Sequence, residues 1–403
     1  MKVALINSVA GFGSTGRLVE QLSKMEGVTG RIYYGRKHDL TAGADTFKMN
    51  GFFGNADHAV RTYFNDSQCF CNTHETEKMI TDLKSFQPDL IHLHNLHGYY
   101  LNAEVLFRYL KESGKPVLWT LHDCWAFTGH CVHYEGMNCS QWKTECRKCP
   151  ALNHYPFTCN GSHVTRNYYR KRELFTSIPN QLTLVTPSLW LRNQVNNSFL
   201  KNQRVLVISN GIDPSRFQPT ESSFRREHHL EGRTVILAVA SMWTQTKGLD
   251  QLACLSRDLP EEYVLVLVGA MFPWQKRKFS SHTILIPHTE NIQELCGIYT
   301  AADALINLTQ EDTFPTVNLE AMACGTPALT YRTGGSSEML TAQTGAVIDR
   351  NDYPAMRKAI ISLRTGTDFS TEDCRRQASR YSLSSMYESY LKLYHQVTGE
   401  ENA

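Results

Sequence analysis

The sequence predicts an α/β protein with two parallel sheets, each covered by helices on both faces. Three observations carry this expectation. Short apolar runs of strand length alternate with amphipathic helical stretches from end to end. The strand-like runs number twelve, too many for one doubly wound sheet. Glycine-rich turns follow several of them, as they do where a strand hands over to a helix. The first series of strands reads Val3–Asn7, Arg31–Tyr34, Asp89–His94, Val117–Leu121 and Gln181–Thr186. The second reads Val205–Ser209, Val235–Ala240, Tyr263–Val268, Thr283–Ile286, Asp303–Leu308, Pro327–Tyr331 and Gly345–Ile348. Helical stretches between them include Arg17–Ser23, Gly248–Leu255, Ile292–Thr300 and Val317–Ala323.

The expected domains are residues 1–188, with a Cys-rich insertion over about 124–159, and residues 189–382. A helix within 383–403 follows. Its Met386, Tyr390, Leu391 and Tyr394 give it one apolar face, expected to pack back on the first domain.

Composition describes an ordinary soluble globular protein. The 403 residues carry 41 Lys and Arg against 39 Asp and Glu, a net charge of +2, so bulk charge does not favour nucleic acid or an anionic membrane. No apolar run approaches the roughly 18 residues of a membrane-spanning helix; the strongest, Tyr263–Met271, has the length of a buried strand. The start, MKVALINSVAGFG, reads as a strand and a glycine loop, not as an export signal, and the expected compartment is the cytoplasm.

Ligands of parallel α/β sheets sit at the carboxyl ends of the strands. Gly11-Phe-Gly13-Ser14-Thr15-Gly16 follows the first strand and opens a helix, a loop suited to phosphate or sugar. A dinucleotide site needs an acid at the end of the second strand, where Tyr34-Gly35-Arg36 has none; a plain turn is the other alternative. His122-Asp123 ends another strand and can bond sugar hydroxyls or relay a proton, and His92, His94 and His97 close the strand before it. The stretch Glu311–Pro327 reads strand, turn, helix, glycine stop and strand. Asp312 and Glu320, eight residues apart, bracket the helix start, where carboxylates accept vicinal hydroxyls and N–H groups take phosphate. Lys247-Gly248 opens a helix and is a candidate clamp for a leaving diphosphate, or a solvated charge. Thr333-Gly334-Gly335-Ser336 supplies a further glycine turn.

Taken together, these residues resemble the retaining glycosyltransferases of family 4. The resemblance rests on Gly11–Gly16, Thr120–Asp123, Thr186-Pro187-Ser188, Asn210-Gly211-Ile212-Asp213, Lys247-Gly248, Asp312…Glu320 with Ala321–Gly325, and Gly334-Gly335. The stretch His122–Pro156 is similar to enzymes of colanic-acid and exopolysaccharide assembly. It implies a GT-B fold of two facing Rossmann-like domains with the site in the cleft between them. It also implies transfer of a sugar from a nucleotide diphosphate to a glycan or polyprenyl-diphosphate-linked acceptor, with no metal needed for catalysis and no nucleic-acid partner.

Carried over by position, His122, Lys247 and Asp312 are the catalytic candidates. Gly13, Ser14, Thr15, Gly16, Asn210, Lys247, Asp312, Thr313, Phe314, Pro315, Thr316 and Glu320 hold the donor. Glu320 takes the ribose and Lys247 the diphosphate. Two departures stand out: Asp replaces Glu at 312, and Met242 stands where an arginine usually accompanies the lysine, which leaves Arg17 or another basic residue as a substitute.

Two readings of other classes compete. An NAD-dependent oxidoreductase lacks its ribose acid. A non-catalytic, zinc-stabilised carbohydrate-binding protein leaves the phosphate loops unexplained. Cys131, Cys139, Cys146 and Cys149, ending in C-x-x-C, suit a structural zinc, with His130 and His133 as substitute ligands and free thiols or disulfides as alternatives. The basic, aromatic stretch Arg166–Phe175 is a candidate face for peripheral contact with the inner surface of the plasma membrane, or a solvated helix face.

Overall fold

The computed structural model describes residues 1–41 and 43–399. The chain forms two units, residues 1–208 with the C-terminal segment from Tyr387, and Ser209–Met386. In the first, β1 (Lys2–Asn7) leads to α1 (Gly13–Ser23), β2 (Thr29–Tyr34), β3 (Asp45–Lys48), α2 (Phe52–Asn65), α3 (Thr73–Phe86) and β4 (Leu90–Leu93). Then come α4 (Ala103–Ser113), β5 (Val117–Thr120), α5 (Val164–Phe175), β6 (Leu182–Thr186), α6 (Leu189–Asn196) and β7 (Arg204–Val207). The seven strands are all parallel, in the order β3-β2-β1-β4-β5-β6-β7. Val3–Ile6 are fully buried, as a strand covered on both faces requires.

The second unit contains α7 (Phe224–Glu227), β8 (Thr234–Met242), α8 (Leu249–Asp258), β9 (Tyr263–Ala270), α9 (Pro273–Lys276), β10 (Ile284–Ile286) and α10 (Ile292–Ala301). It continues through β11 (Ala304–Asn307), α11 (Thr316–Ala323), β12 (Ala328–Tyr331), β13 (Gly345–Ile348), α12 (Tyr353–Ser362) and α13 (Thr371–Ser379). Its six parallel strands run β10-β9-β8-β11-β12-β13. Helix α14 (Leu383–Thr398) starts in this unit and ends in the first.

The expected boundary at 188 lies too early. The strand around Val205 belongs to the first sheet, where β7 pairs in parallel with β6 from Thr183↔Arg204 to Thr186↔Val207. α6 is therefore the crossover between two strands of one sheet, and the break follows Ile208. β3 was not expected; its four residues, DTFK, show no run of apolar side chains.

The Cys-rich insertion has little regular structure beyond 3₁₀ turns at Trp125–Phe127, Glu135–Met137 and Gln141–Lys143. Aromatic packing holds it: Trp125, Phe127, Tyr134 and Trp142 are buried, and the Tyr134 and Trp142 rings stack at 4.8 Å. α5 packs beneath it. Lys171 is buried, its Nζ donating to Trp125 O at 3.1 Å and Thr128 O at 3.2 Å, and burial lowers its pKa to about 8. Arg170 pairs with Glu104 and lies 3.7 Å over the Phe70 ring, while Tyr168 and Phe175 are core residues. Of the stretch Arg166–Phe175, Tyr168, Lys171 and Phe175 thus serve the core and Arg170 pairs with Glu104, while Arg166, Tyr169 and Arg172 stay exposed.

Candidate active site

Each sheet has one place where successive connections leave in opposite directions, between β1 and β4 in the first and between β8 and β11 in the second. Such a switch point opens a crevice at the strand ends.

In the first unit, Gly11 adopts φ +66° and its N–H donates to Gly16 O at 3.0 Å, closing the loop after β1. A Cβ on Gly11 would stand 2.1 Å from Asp39 O, so only glycine fits. Gly13 and Ser14 are exposed and Thr15 half-buried at the start of α1, whose N-cap Phe12 makes no side-chain cap. The first N–H groups of α1 therefore have no side-chain acceptor of the capping kind, the arrangement that favours an anion. Buried Glu20 braces the loop from behind by accepting from Thr41 N at 2.8 Å and from Lys24 Nζ at 2.9 Å.

Across the switch point, His94 follows β4 and His122 follows β5. His94 Nδ1 and His122 Nε2 are 3.0 Å apart, and the rings stack at 5.3 Å. Burial drives His122 down to about 4 despite nearby Asp123, and drives His94 well below its ordinary value, so both rings are neutral at pH 7. His94 Nε2 is buried without a partner. An unpaired lone pair is tolerated better than an unpaired N–H, which assigns the His94 proton to Nδ1 and the His122 proton to its own Nδ1.

His97 Nε2 bonds Asp123 Oδ2 at 2.8 Å and His97 Nδ1 bonds Tyr155 OH at 3.2 Å. Burial alone would raise Asp123, but His97 and the Trp125 N–H hold it at about 2. His92 is locked between Tyr394 OH at 2.7 Å and Thr120 Oγ1 at 2.8 Å. Of the strand-end histidines, His92, His94 and His97 are therefore buried; His94 and His122 are bonded to each other, and His92 and His97 to other side chains.

In the second unit, the turn after β8 ends at Lys247 and Gly248. Gly248 takes φ +79° and packs so closely that a Cβ would meet Leu308 O at 2.6 Å. Gln310 N–H donates to Thr246 O at 2.7 Å, binding this turn to the loop after β11. Lys247 Nζ meets Asp312 Oδ2 at 2.9 Å, and Asp312 Oδ1 accepts the Phe314 N–H at 3.2 Å. Gly334 lies against the same loop; a Cβ there would stand 1.5 Å from Asp312 O.

Eight residues after Asp312, Glu320 accepts Tyr299 OH on Oε2 at 3.0 Å and Thr316 Oγ1 on Oε1 at 3.1 Å. Thr313 and Pro315 are buried and Thr316 is half-buried beside Glu320; Phe314 turns its ring into the core against Tyr381, so only its backbone serves the site. Asn210 belongs to another loop, stitched by Ile212 N→Tyr381 O at 2.9 Å and Leu383 N→Ile212 O at 2.8 Å. Met242 is half-exposed at the end of β8 and adds no charge.

Sequence reasoning did not find Tyr299, and read Tyr390 and Tyr394 only as an apolar helix face; their hydroxyls support Glu320, Thr120 and His92 across 21, 270 and 302 positions of chain. No local pattern marks such partners. The four cysteines are not one cage. Cys131 and Cys149 bond through their thiols, and Cys146 Sγ accepts the Gly129 N–H at 3.2 Å. Among the described residues, no group of three or more His, Cys, Asp or Glu side chains is arranged to hold a metal ion.

Two family models match the chain, Glycosyltransferase Family 4 over residues 58–216 and Glycosyl transferases group 1 over residues 220–380. A putative colanic acid biosynthesis glycosyl transferase, WcaC of Escherichia coli (strain K12), is 27% identical over 340 residues, 81% of this chain and 80% of that one. A D-inositol 3-phosphate glycosyltransferase of Corynebacterium jeikeium is 26% identical over 48% of this chain and 52% of its own. Sucrose-phosphate synthase of Thermosynechococcus elongatus shares the fold with a TM-score of 0.74 at 16% identity, covering 99% of this chain and 100% of its own. Anabaena HepE, solved in complex with UDP-glucose, shares it at 0.65 and 14%, covering 98% and 100%. With a GT-B architecture of two Rossmann-like units and a family model over most of each, the chain belongs to the family 4 and group 1 glycosyltransferases.

Proposed function

We propose that the protein is a retaining, metal-independent hexosyltransferase that moves a sugar from a nucleotide-diphosphate donor to a glycan or polyprenyl-diphosphate-linked acceptor in surface polysaccharide assembly. The observation that carries this reading is the Lys247–Asp312 pair at the β8/β11 switch point, with Glu320 on the helix that follows. Glu320 receives the ribose hydroxyls. Lys247, preoriented by Asp312, meets the negative charge that develops on the departing diphosphate. The N–H groups of Gly13–Gly16, at the start of α1, are assigned to the donor phosphates. Asp312 and neutral His122 contact the donor sugar, and Asn210 is assigned to the donor side. The leaving phosphate oxygen takes the proton of the incoming hydroxyl on the face it vacates, which retains configuration. The cationic and N–H donors supply the charge that a metal supplies elsewhere. UDP-glucose in HepE and the colanic-acid relative favour a nucleotide sugar and polysaccharide assembly.

The test is calorimetric titration with UDP-, GDP- and ADP-sugars, followed by NMR of the product anomer with and without a chelator. One donor class binds and gives the retained anomer at unchanged rate in chelator. An inverted anomer or a rate abolished by chelator contradicts the mechanism.

A further inference from the structure

Helix α2 turns its apolar side outward. His58 and Thr62, one turn apart, are buried; His58 bonds Gln68 O and the Thr62 hydroxyl donates to His58 O. The other faces carry Phe52 at 80% exposure, Phe53 at 85%, Val60 at 55%, Tyr63 at 47% and Phe64 at 56%. Phe53, Val60 and Phe64 follow at intervals of seven and four, one continuous stripe. The stripe extends beyond the helix. Thr158 Oγ1 and Cys159 N both donate to Tyr63 O, at 3.0 and 2.8 Å, which sets Phe157, 54% exposed, beside the end of α2. Soluble monomers rarely leave such a contiguous aromatic patch to water.

The surroundings are basic. Residues 46–56 and 153–166 contain no Asp or Glu, and they hold Lys48, His154, His163 and Arg166. His163 Nδ1 bonds Asn65 O at 2.7 Å, bringing the start of α5, with exposed Arg166, against the end of α2. The one carboxylate on α2, Asp57, is paired with Arg61. No helix among the described residues is long and apolar enough to cross a membrane. An exposed aromatic stripe framed by cations, on a helix anchored by its opposite side, has the chemistry of an interfacial helix.

We propose that α2, with Phe157, docks the protein on an anionic lipid bilayer, the aromatic rings entering the headgroup boundary and Lys48 and Arg166 facing lipid phosphates. The surface deepens the proposed lipid-linked acceptor by naming where it is met, but its binding to lipid stands without that reading.

Flotation with vesicles of phosphatidylglycerol and phosphatidylethanolamine tests it, with phosphatidylcholine vesicles and light scattering alongside. The full chain floats with the anionic vesicles, less as salt rises. Phe52→Ser with Phe53→Ser lowers the partition coefficient about 100-fold, tenfold for each ring withdrawn. Arg166→Gln lowers it about fivefold. These residues are exposed, so the variants keep the parent's melting temperature and its nucleotide-sugar binding. Vesicle binding without nucleotide binding would sink the enzymatic reading and leave this one standing. No flotation of the parent, equal flotation of the double variant, or a dimer in solution that the double variant abolishes, each overturns the docking proposal.

Discussion

Glu320 accepts the Tyr299 and Thr316 hydroxyls, one on each oxygen, and those two bonds fix the orientation of its carboxylate at the start of α11. Glu320→Ala should therefore weaken nucleotide binding by about 1.5–3 kcal/mol, the scale of hydrogen bonds to a charged group; unchanged affinity by calorimetry removes Glu320 from the donor site. Lys247→Ala should cut turnover by about 10²–10³, because Met242 leaves no second cation at the end of β8. Near-parental turnover would make Lys247 only the partner of Asp312. Acid should destabilise the fold through buried histidines. Burial lowers both His58 and His122 to about 4, whereas unfolded histidine titrates near 6.5. Between about pH 6.5 and pH 4 the unfolded chain binds protons that the folded chain refuses, so stability is full above that window and falls through it on acidification. Thermal melts of His122→Gln should show a shallower decline over that range, and parallel declines would rule out its titration. At this scale the sequence was legible where one element carried the chemistry. Asp312 and Glu320 stood out because they bracket one helix start. The Lys247–Asp312 bond spans 65 positions, and only the β8–β11 pairing brings those residues together.

Elements were legible where burial wrote a pattern, and misleading where an unusual residue was buried. The core strands announced themselves as apolar runs. α5 did not: its Lys171 looks like surface charge but lies inside, held by two carbonyls and the Trp125 ring at 3.6 Å. α2 hid for the converse reason, since its aromatics suggest core and are exposed. The turn after β12 is held by contact with the Asp312 loop, so Gly334→Ala should displace Asp312 and abolish donor binding while β12 and β13 keep their pairing. Retained binding would show that the loop relaxes around the new methyl group. In the Cys-rich insertion, the hydrogen bond from Cys131 lowers the Cys149 thiol, and Cys131 rises in turn. The expected outcome is preferential alkylation of Cys149 at neutral pH, lost in favour of uniform slow labelling in Cys131→Ala. A structural zinc on Cys131, Cys139, Cys146 and Cys149 predicts the opposite, four protected thiols and one zinc per chain by elemental analysis.

At the scale of the whole molecule, the chain leaves the first unit after Ile208 and re-enters it through α14. The apolar face read from Met386, Tyr390 and Tyr394 has a specific use there. Tyr390 and Tyr394 are fully buried, bonding Thr120 and His92 at 3.1 and 2.7 Å. The last helix thereby completes the shell behind the histidines of the β4 and β5 ends, while Ser209–Met386 carries Lys247, Asp312 and Glu320 without it. Removing Tyr387 onward should then act on one unit alone. A chain ending at Met386 should lose the first unit's share of the melting transition and all transfer activity. It should keep the share of nucleotide binding that Lys247, Asp312 and Glu320 supply and lose the share assigned to Gly13–Gly16. Since the shortened chain also exposes the apolar shell behind β4, Tyr394→Phe is the finer probe. It removes only the hydroxyl and leaves His92 Nδ1 buried and unpaired, a cost of about 1–3 kcal/mol, with activity lowered and nucleotide affinity unchanged. Calorimetric scans and titrations on both variants decide the point. Loss of nucleotide affinity in Tyr394→Phe, or an unaltered melting temperature in that variant, would show that α14 does not serve the first unit in this way.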